Sequence, residues 1–343
     1  MTWRFIAHRL LIALIQLFAL ALVVFFLIRL MPADPVARLV GLNATPESYQ
    51  SSKHALGLDE PLLVQLQWFL GLPGSPKPGL LQGDLGTSWV TGAPIWTEIR
   101  HTLPITIELI TLAFVLAFLI SVPIGMLCAT HPDGPADRIT FLFSLFAGSQ
   151  PEFWWGILFI YVFFFQLGWA PAPIGRLDPM SSPPPFVTGF ITVDTLLAGR
   201  LDLFVDGLHH LMLPVATKIF VLSGPIIKMV RQNMVRVLGS DFVLYARASG
   251  LPRRRIALYA LRNAIAPAMT LLGVLYGYIL GGAVLIETIF SLGGIGQYAV
   301  RSVLSFDYPA IQGVVLVITA VSLFVYLLLD VLHALIDPRV AHK

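Results

Sequence analysis

Six stretches of this chain, at 10–30, 103–129, 139–165, 207–230, 265–290 and 308–335, are long and apolar enough to cross a hydrocarbon core, which takes roughly 20 residues of helix. The expected fold is all-α and polytopic, with six transmembrane helices. Composition agrees, because 57% hydrophobic and 12% charged residues in a chain of 343 leave too little polar surface for a soluble body of that size. The first run follows Arg4, His8 and Arg9 as a signal peptide would, but it is long and no small-x-small cleavage pattern closely follows it, so it reads as retained. Pro104, Pro123, Pro151, Pro214, Pro225 and Pro267 lie in or near later spans as bends or span edges, since bundle packing re-satisfies the carbonyls that proline frees. The sole cysteine, Cys128, excludes an internal disulfide and a multi-thiolate metal site.

Basic residues set the expected direction. With a cytoplasmic N-terminus the inner side receives Arg4, Arg9, Arg138, Lys228, Arg231, Arg236, Arg247, Arg253, Arg254, Arg255, Arg262, Arg339 and Lys343, while the longer outer loops carry a thinner scatter. Six crossings return the C-terminus to the cytoplasm. The chain then divides into an N-terminal cytoplasmic edge with the first span (1–30), a periplasmic region (31–102), a five-helix core (103–335) holding a cytoplasmic loop (231–264), and a cytoplasmic C-terminus (336–343).

Glu108, Glu152, Lys218, Glu287 and Asp330 fall at membrane depth on this map and are expected to face the bundle interior, a watery path or a headgroup region. No ion-coupling constellation joins them. His209 and His210 sit near an outer edge, where an interfacial role outweighs metal ligation, since adjacent histidines alone make a weak metal signal.

The loops are the working surfaces. Leu62, Leu66, Phe69 and Leu70 share one face of a short outer helix, either a cap on the bundle mouth or a contact surface. Pro171, Pro173, Pro179 and the run Pro183–Pro185 stiffen the second outer loop, which suits either a docking surface for a soluble delivery protein or a fixed lid. In the inner loop, Asp241 is the expected cap of a helix beginning near Phe242, Gly250 its end, and Pro252 the block to continuation before Arg253–Arg255. The arginine triplet has two readings, a topology anchor at anionic headgroups and a contact for an acidic partner surface.

The run Tyr245, Ala246, Arg247, Ala248, Ser249, Gly250, Leu251, followed by Leu261, Arg262, Asn263, Ala264 and Pro267, resembles the coupling signature of binding-protein-dependent ABC importer permeases, most of all the dipeptide, oligopeptide and nickel branch. The likeness continues in Leu56–Asp59, in Gly83–Gly86 before Ser88, in Thr102–Pro104 before Thr106, in Glu287–Ser291, and in Asp307–Pro309 with Gln312. Single elements are weak, but their order around six spans is specific and covers nearly the whole chain. Two departures stand out. Leu244 occupies the position where the general signature has glutamate, and Gly293 stands where the branch commonly has proline.

The resemblance implies a type I importer permease fold. It implies a complex with a homologous second permease, two ATPase subunits or domains that carry ATP and Mg2+, a periplasmic substrate-binding protein and a peptide substrate. Membrane lipid is a further partner, and nucleic acid is not. It assigns coupling to the ATPase to Asp241, Tyr245, Ala246, Arg247, Ala248, Ser249, Gly250, Leu251, Arg262 and Asn263. No glycine-rich phosphate loop ending in lysine and serine or threonine is present, so ATP hydrolysis belongs to partners, and this chain is expected to be a transport subunit without catalytic, cofactor or metal residues. Gly273, Gly277 and Gly281, with Gly282 adjacent, recur on one side of the fifth span and suit close helix packing or gating. The rivals are a permease for nickel or another small solute and an ion-coupled secondary transporter, for which neither an inverted repeat nor a coupling-ion site appears.

Overall fold

A computed structural model describes residues 3–32, 34–41 and 44–336, without the side chains of 3–5, 266–272, 274 and 332–336. Arg339, Lys343 and nearly all of the C-terminal segment expected at 336–343 therefore lie outside the described residues, as do the side chains of Arg4 and Pro267. Among the described residues the regular structure is helical apart from one isolated bridge, Thr87 with Pro94.

Helix α1 (Trp3–Leu30) is followed by the short helices α2 (Pro35–Val40), α3 (Pro46–Ala55) and α4 (Leu62–Leu70). A short helix is thus present at Leu62–Leu70, as expected. Helices α5 (Ile95–Thr130), α6 (Pro135–Ala147), α7 (Glu152–Phe159) and α8 (Ile191–Leu197) come next, and α7 runs into a π-helical stretch over Ile160–Gln166. The chain ends with α9 (Leu201–Leu238), α10 (Asp241–Ala248), α11 (Arg253–Ile289), α12 (Ile295–Leu304) and α13 (Tyr308–Ile336).

Four helices, α1, α5, α9 and α13, are clearly long and apolar enough to cross a membrane. In α1 and α13 only 17% of the most apolar window is buried within the chain, so most of their apolar surface needs lipid or a partner subunit to cover it. In α9 the share is 67%, which makes it the packing centre of its unit despite Pro214 and Pro225 inside the helix.

The other two expected spans differ. The third is not one helix over 139–165, because α6 stops at Ala147 and α7 starts at Glu152. Pro151 is extended at φ −60° and ψ 148° and has no N–H to continue a helix. The break satisfies itself, for the Trp155 indole donates to the Ala147 carbonyl at 3.1 Å, and Gly148 N–H bonds Ser144 O at 3.2 Å. Apolar continuity across the break hides it from a hydropathy reading. The fifth span lies inside α11, whose described apolar part, Leu275–Ile289, is shorter than a full crossing.

The chain forms two compact units, the larger built on residues 105–292 and the smaller on 6–104 with 293–324. Small side chains at Ala113, Ala117, Ala260, Ala264 and Ala283, all at most 1% exposed, let helices of the larger unit approach closely. Larger groups such as Ile226, Met234, Ile279 and Ile286 fill the space between them.

Two carboxylates hold the segment that leads into α8 in the larger unit. Glu108, from α5, accepts the Ile191 and Thr192 N–H groups at 3.0 and 2.8 Å and pairs with Arg176 at 3.3 Å. It thereby caps α8 from another element, where an anion also meets the favourable end of the helix. Asp194 accepts N–H bonds from Val187, Thr188 and Gly189 and the Thr188 hydroxyl at 2.7 Å. Burial pushes its carboxyl up, but these donors outweigh it and hold the group below the usual carboxylate range. A depressed folded pKa contributes stability above the unfolded value of about 3.9 and loses it as pH falls through the folded value. Asp194→Asn should therefore melt earlier than the parent at pH 7 by the equivalent of about 1–3 kcal/mol. The gap should narrow as pH falls below the unfolded carboxylate value of about 3.9 toward the lower folded one, as followed by tryptophan fluorescence in detergent.

Candidate functional site

The segment between α9 and α11 takes its shape from two chain breakers. After α9 ends, Ser240 occupies the cap position of α10 in extended backbone, and Asp241 is the first helical residue. This corrects the expectation that Asp241 caps the helix. Ser240 does not cap with its side chain either, because its hydroxyl turns back to the Val237 carbonyl at 2.5 Å. At the other end Gly250 has φ +76°, its N–H bonds Arg247 O at 3.0 Å, and Leu251 N–H bonds Ala246 O at 3.1 Å. These paired bonds form a Schellman closure, which requires the left-handed conformation that glycine adopts without a Cβ penalty. Pro252 then begins α11 with extended backbone.

Helix α10 buries Val243, at 1% exposure, and turns Leu244 and Tyr245 outward at 70% and 76%. Phe242 and Arg247 are exposed as well. The outward face is therefore apolar and aromatic beside one guanidinium, and the carboxylate of the general signature has no counterpart at Leu244. Ala246 is half-buried, while Ala248, Ser249 and Gly250 are exposed. Asn263 donates to its own helix at Tyr259 O, 2.8 Å, and its neighbour Arg262 is exposed. Asn233 of α9 reaches Ala264 O of α11 at 3.3 Å and ties the two helices that flank α10.

Motif residues far apart in sequence meet within each unit. In the smaller one Asp307 accepts the Ser88 hydroxyl at 2.5 Å and Trp89 N–H at 3.2 Å, and Trp89 packs on Tyr308 with ring centroids 5.2 Å apart. In the larger one the Thr106 hydroxyl donates to Glu287, and both are buried. Glu152 pairs with Lys218 at 2.9 Å, with side chains 10% and 1% exposed, and Arg231 grips Asp137 through two bonds of 2.5 and 2.6 Å. No group of three or more histidine, cysteine or acidic side chains suited to a metal exists among the described residues. His210 is buried and sits 3.0 Å from its own-helix neighbour Asp206.

A family model described as binding-protein-dependent transport system inner membrane component matches residues 121–342, and the N-terminal membrane component of the same systems matches 2–110. The chain belongs to this permease family. It is 39% identical to the probable D,D-dipeptide transport system permease protein DdpB of Escherichia coli, over 93% of this chain and 92% of that one. It is 37% identical to the di/tripeptide transport system permease protein DppB of Pseudomonas aeruginosa, over 99% of both chains. With the dipeptide transport system permease protein DppB of E. coli the identity is 33%, again over 99% of both. This permease is thus an inner-membrane, multi-pass subunit of an ABC importer complex and not itself an enzyme.

For the permease, the buried pairs are what sequence reading missed. Glu152 and Lys218 stood out singly as membrane-depth charges, but their partnership had no spacing signal, since 66 residues separate them. The glycines of the fifth span divide in role. A Cβ on Gly277 would collide with the Tyr326 hydroxyl, and one on Gly282 would stand 2.5 Å from Glu152 Oε2, whereas Gly273 has ordinary contact and Gly281 has nothing within 4 Å. Gly282 therefore makes room for the Glu152–Lys218 pair, and a side chain at Gly281 would meet open space among the described residues. Lys218→Met leaves the Glu152 charge buried without its partner and should lower stability by about 3–5 kcal/mol. Glu152→Met combined with Lys218→Met should recover most of it, and thermal melts of the purified complex read both outcomes.

Proposed function

We propose that this chain forms one half of the transmembrane path of an ATP-driven importer for dipeptides or oligopeptides. In this reading a homologous permease supplies the other half, a periplasmic binding protein delivers the peptide, and two ATPase subunits or domains carry ATP and Mg2+. The observation that carries the substrate class is that permeases named for dipeptides and for di- and tripeptides align with the chain over almost their whole length. The chain crosses the membrane six times, as a type I permease, with the third crossing formed by the broken pair α6 and α7 and the fifth by α11. Both termini and the loop 231–264 are cytoplasmic, in keeping with the arginine excess there.

The coupling surface is α10 with its closing turn, from Asp241 through Leu251, with Arg262 and Asn263 behind it. The exposed face of Leu244 and Tyr245 supports this reading, because an apolar and aromatic patch on a short helix suits a groove in a partner. The turn at Gly250 sets the angle at which that helix leaves the bundle. A Cβ there meets nothing within 4 Å, so the requirement is one of backbone conformation and not of space. ATP-driven closure of the motor displaces α10 and opens the bundle outward, and hydrolysis resets it. Gly273, Gly277 and Gly282 allow the helix contacts that this movement changes.

Uptake of labelled dipeptide into proteoliposomes holding the whole complex and its binding protein tests the assignment. Peptide, and not nickel, should accumulate with ATP. Gly250→Val should cut both uptake and substrate-stimulated ATP turnover about tenfold while the complex still inserts, since a β-branched residue is costly at positive φ. Wild-type rates for the variant would remove Gly250 from the coupling path. Orientation has its own test, with single cysteines at Ser182 and Ser249, both exposed, in a Cys128→Ser background. An impermeant thiol reagent applied to intact spheroplasts should label position 182 and spare 249.

A further inference from the structure

Behind the coupling helix lies a cavity of about 1000 Å³ whose lining includes Arg247, Arg253, Arg254 and His131 and contains no carboxylate. The three arginines are exposed, and among the described residues none is in an ion pair. Its other walls are mainly apolar, with Leu127 in the last turns of α5, Leu238 at the end of α9 and Ile256 in the first turn of α11, beside Thr130. Because α5 and α9 are long and apolar enough to cross a membrane and the segment between α9 and α11 is read as cytoplasmic, the cavity is placed on the cytoplasmic side of the bundle, within reach of headgroups.

The start of α11 is electrostatically mismatched. Three consecutive arginines open a helix of 37 residues with no acidic residue in its first turn, and Pro252 offers no side-chain cap. Cations at that end oppose the helix dipole, and the first-turn N–H groups have no side-chain acceptor at the cap. An anion seated there removes both defects, and guanidinium forks suit a phosphate diester. A free anion would leave the apolar wall unfilled, and an acidic protein surface brings no acyl chain to cover Leu127, which is 49% exposed, and the half-buried Leu238. We propose that this cavity seats the headgroup of an anionic phospholipid, held by Arg253 and Arg254 and touched by Arg247 of the coupling helix, so that the lipid fixes the position of that helix. The regulatory half of this proposal rests on the coupling role assigned to α10, whereas the lipid seat does not.

The assembled complex, purified in mild detergent, is analysed for co-purified phosphatidylglycerol and then returned to nanodiscs of phosphatidylcholine with or without phosphatidylglycerol. Wild type should retain phosphatidylglycerol. Arg253→Ala with Arg254→Ala should retain about 25-fold less, since each basic side chain near a membrane surface contributes a factor of about five. Ala257→Trp, which fills the cavity and keeps every arginine, should lose the lipid too. Phosphatidylglycerol should raise wild-type ATP turnover and leave both variants unchanged, and inorganic phosphate added to phosphatidylcholine discs should reproduce none of the rise. Equal lipid retention in wild type and variants overturns the seat. Loss of the ATPase subunits from the double variant in pure phosphatidylcholine also overturns it, because the arginines then serve an acidic protein surface. Retention as expected with no rise in turnover overturns the regulatory half alone. The Gly250→Val measurement decides the coupling reading independently.

Discussion

Polar groups carried to membrane depth lose water as a partner and must find another inside the protein, or stay uncharged at a cost of several kcal/mol. Four carboxylates of the larger unit meet that demand, each in its own way. Glu152 takes the Lys218 ammonium, Asp137 takes the Arg231 fork, Glu287 accepts the Thr106 hydroxyl, and Glu108 spends its oxygens on the N-terminus of α8 and on Arg176. Every pairing joins elements distant in sequence, so the charges that look most out of place in a hydropathy profile fix which helices pack together. Replacing a whole pair by apolar groups is often neutral for stability. What such pairs supply is a unique register, because a helix rotated or slid by one turn strands a charge in a medium that cannot solvate it.

The same demand explains the break between α6 and α7. A helix interrupted in lipid exposes carbonyls at its end and N–H groups at the next beginning. Here the Trp155 indole takes the Ala147 carbonyl, and Glu152 stands in the first turn of α7, where its charge favours the local dipole while it binds Lys218. One proline thus creates a discontinuity, and two side chains within four residues of it repair the consequences. Gly282 completes the arrangement by leaving space for the carboxylate.

How much of this was legible in the sequence follows from the range of the interaction involved. Local rules held well. Gly250 as a helix end, Pro252 as a boundary and the short outer helix at Leu62–Leu70 each depend on a few neighbouring residues, and each is present. Where two local rules competed, the reading slipped by one place, since serine and aspartate are both good caps and Ser240, not Asp241, stands at the position. The third span differs because Pro151, a bend or span edge by sequence, sits in a continuous apolar run, whereas proline and the residues before it end α6 outright. Partnerships across 66 to 219 residues, such as Glu152 with Lys218 and Ser88 with Asp307, carry no periodic signal at all.

The motif segments behind the resemblance make a final point about what such signatures record. Ser88 and Asp307 belong to two short motifs that looked unrelated, and so do Thr106 and Glu287, yet each motif supplies one half of a buried polar contact. A donor and its acceptor constrain each other in residue type, because losing either leaves the other buried and unsatisfied. Residue types that specify a fold through such contacts need no role in transport. The segment 241–251 is different, since Leu244 and Tyr245 face outward at 70% and 76% exposure and stand outside every buried cluster among the described residues. That contrast between motifs turned inward and one turned outward is the physical reason for assigning partner contact to α10 and scaffold roles to the rest.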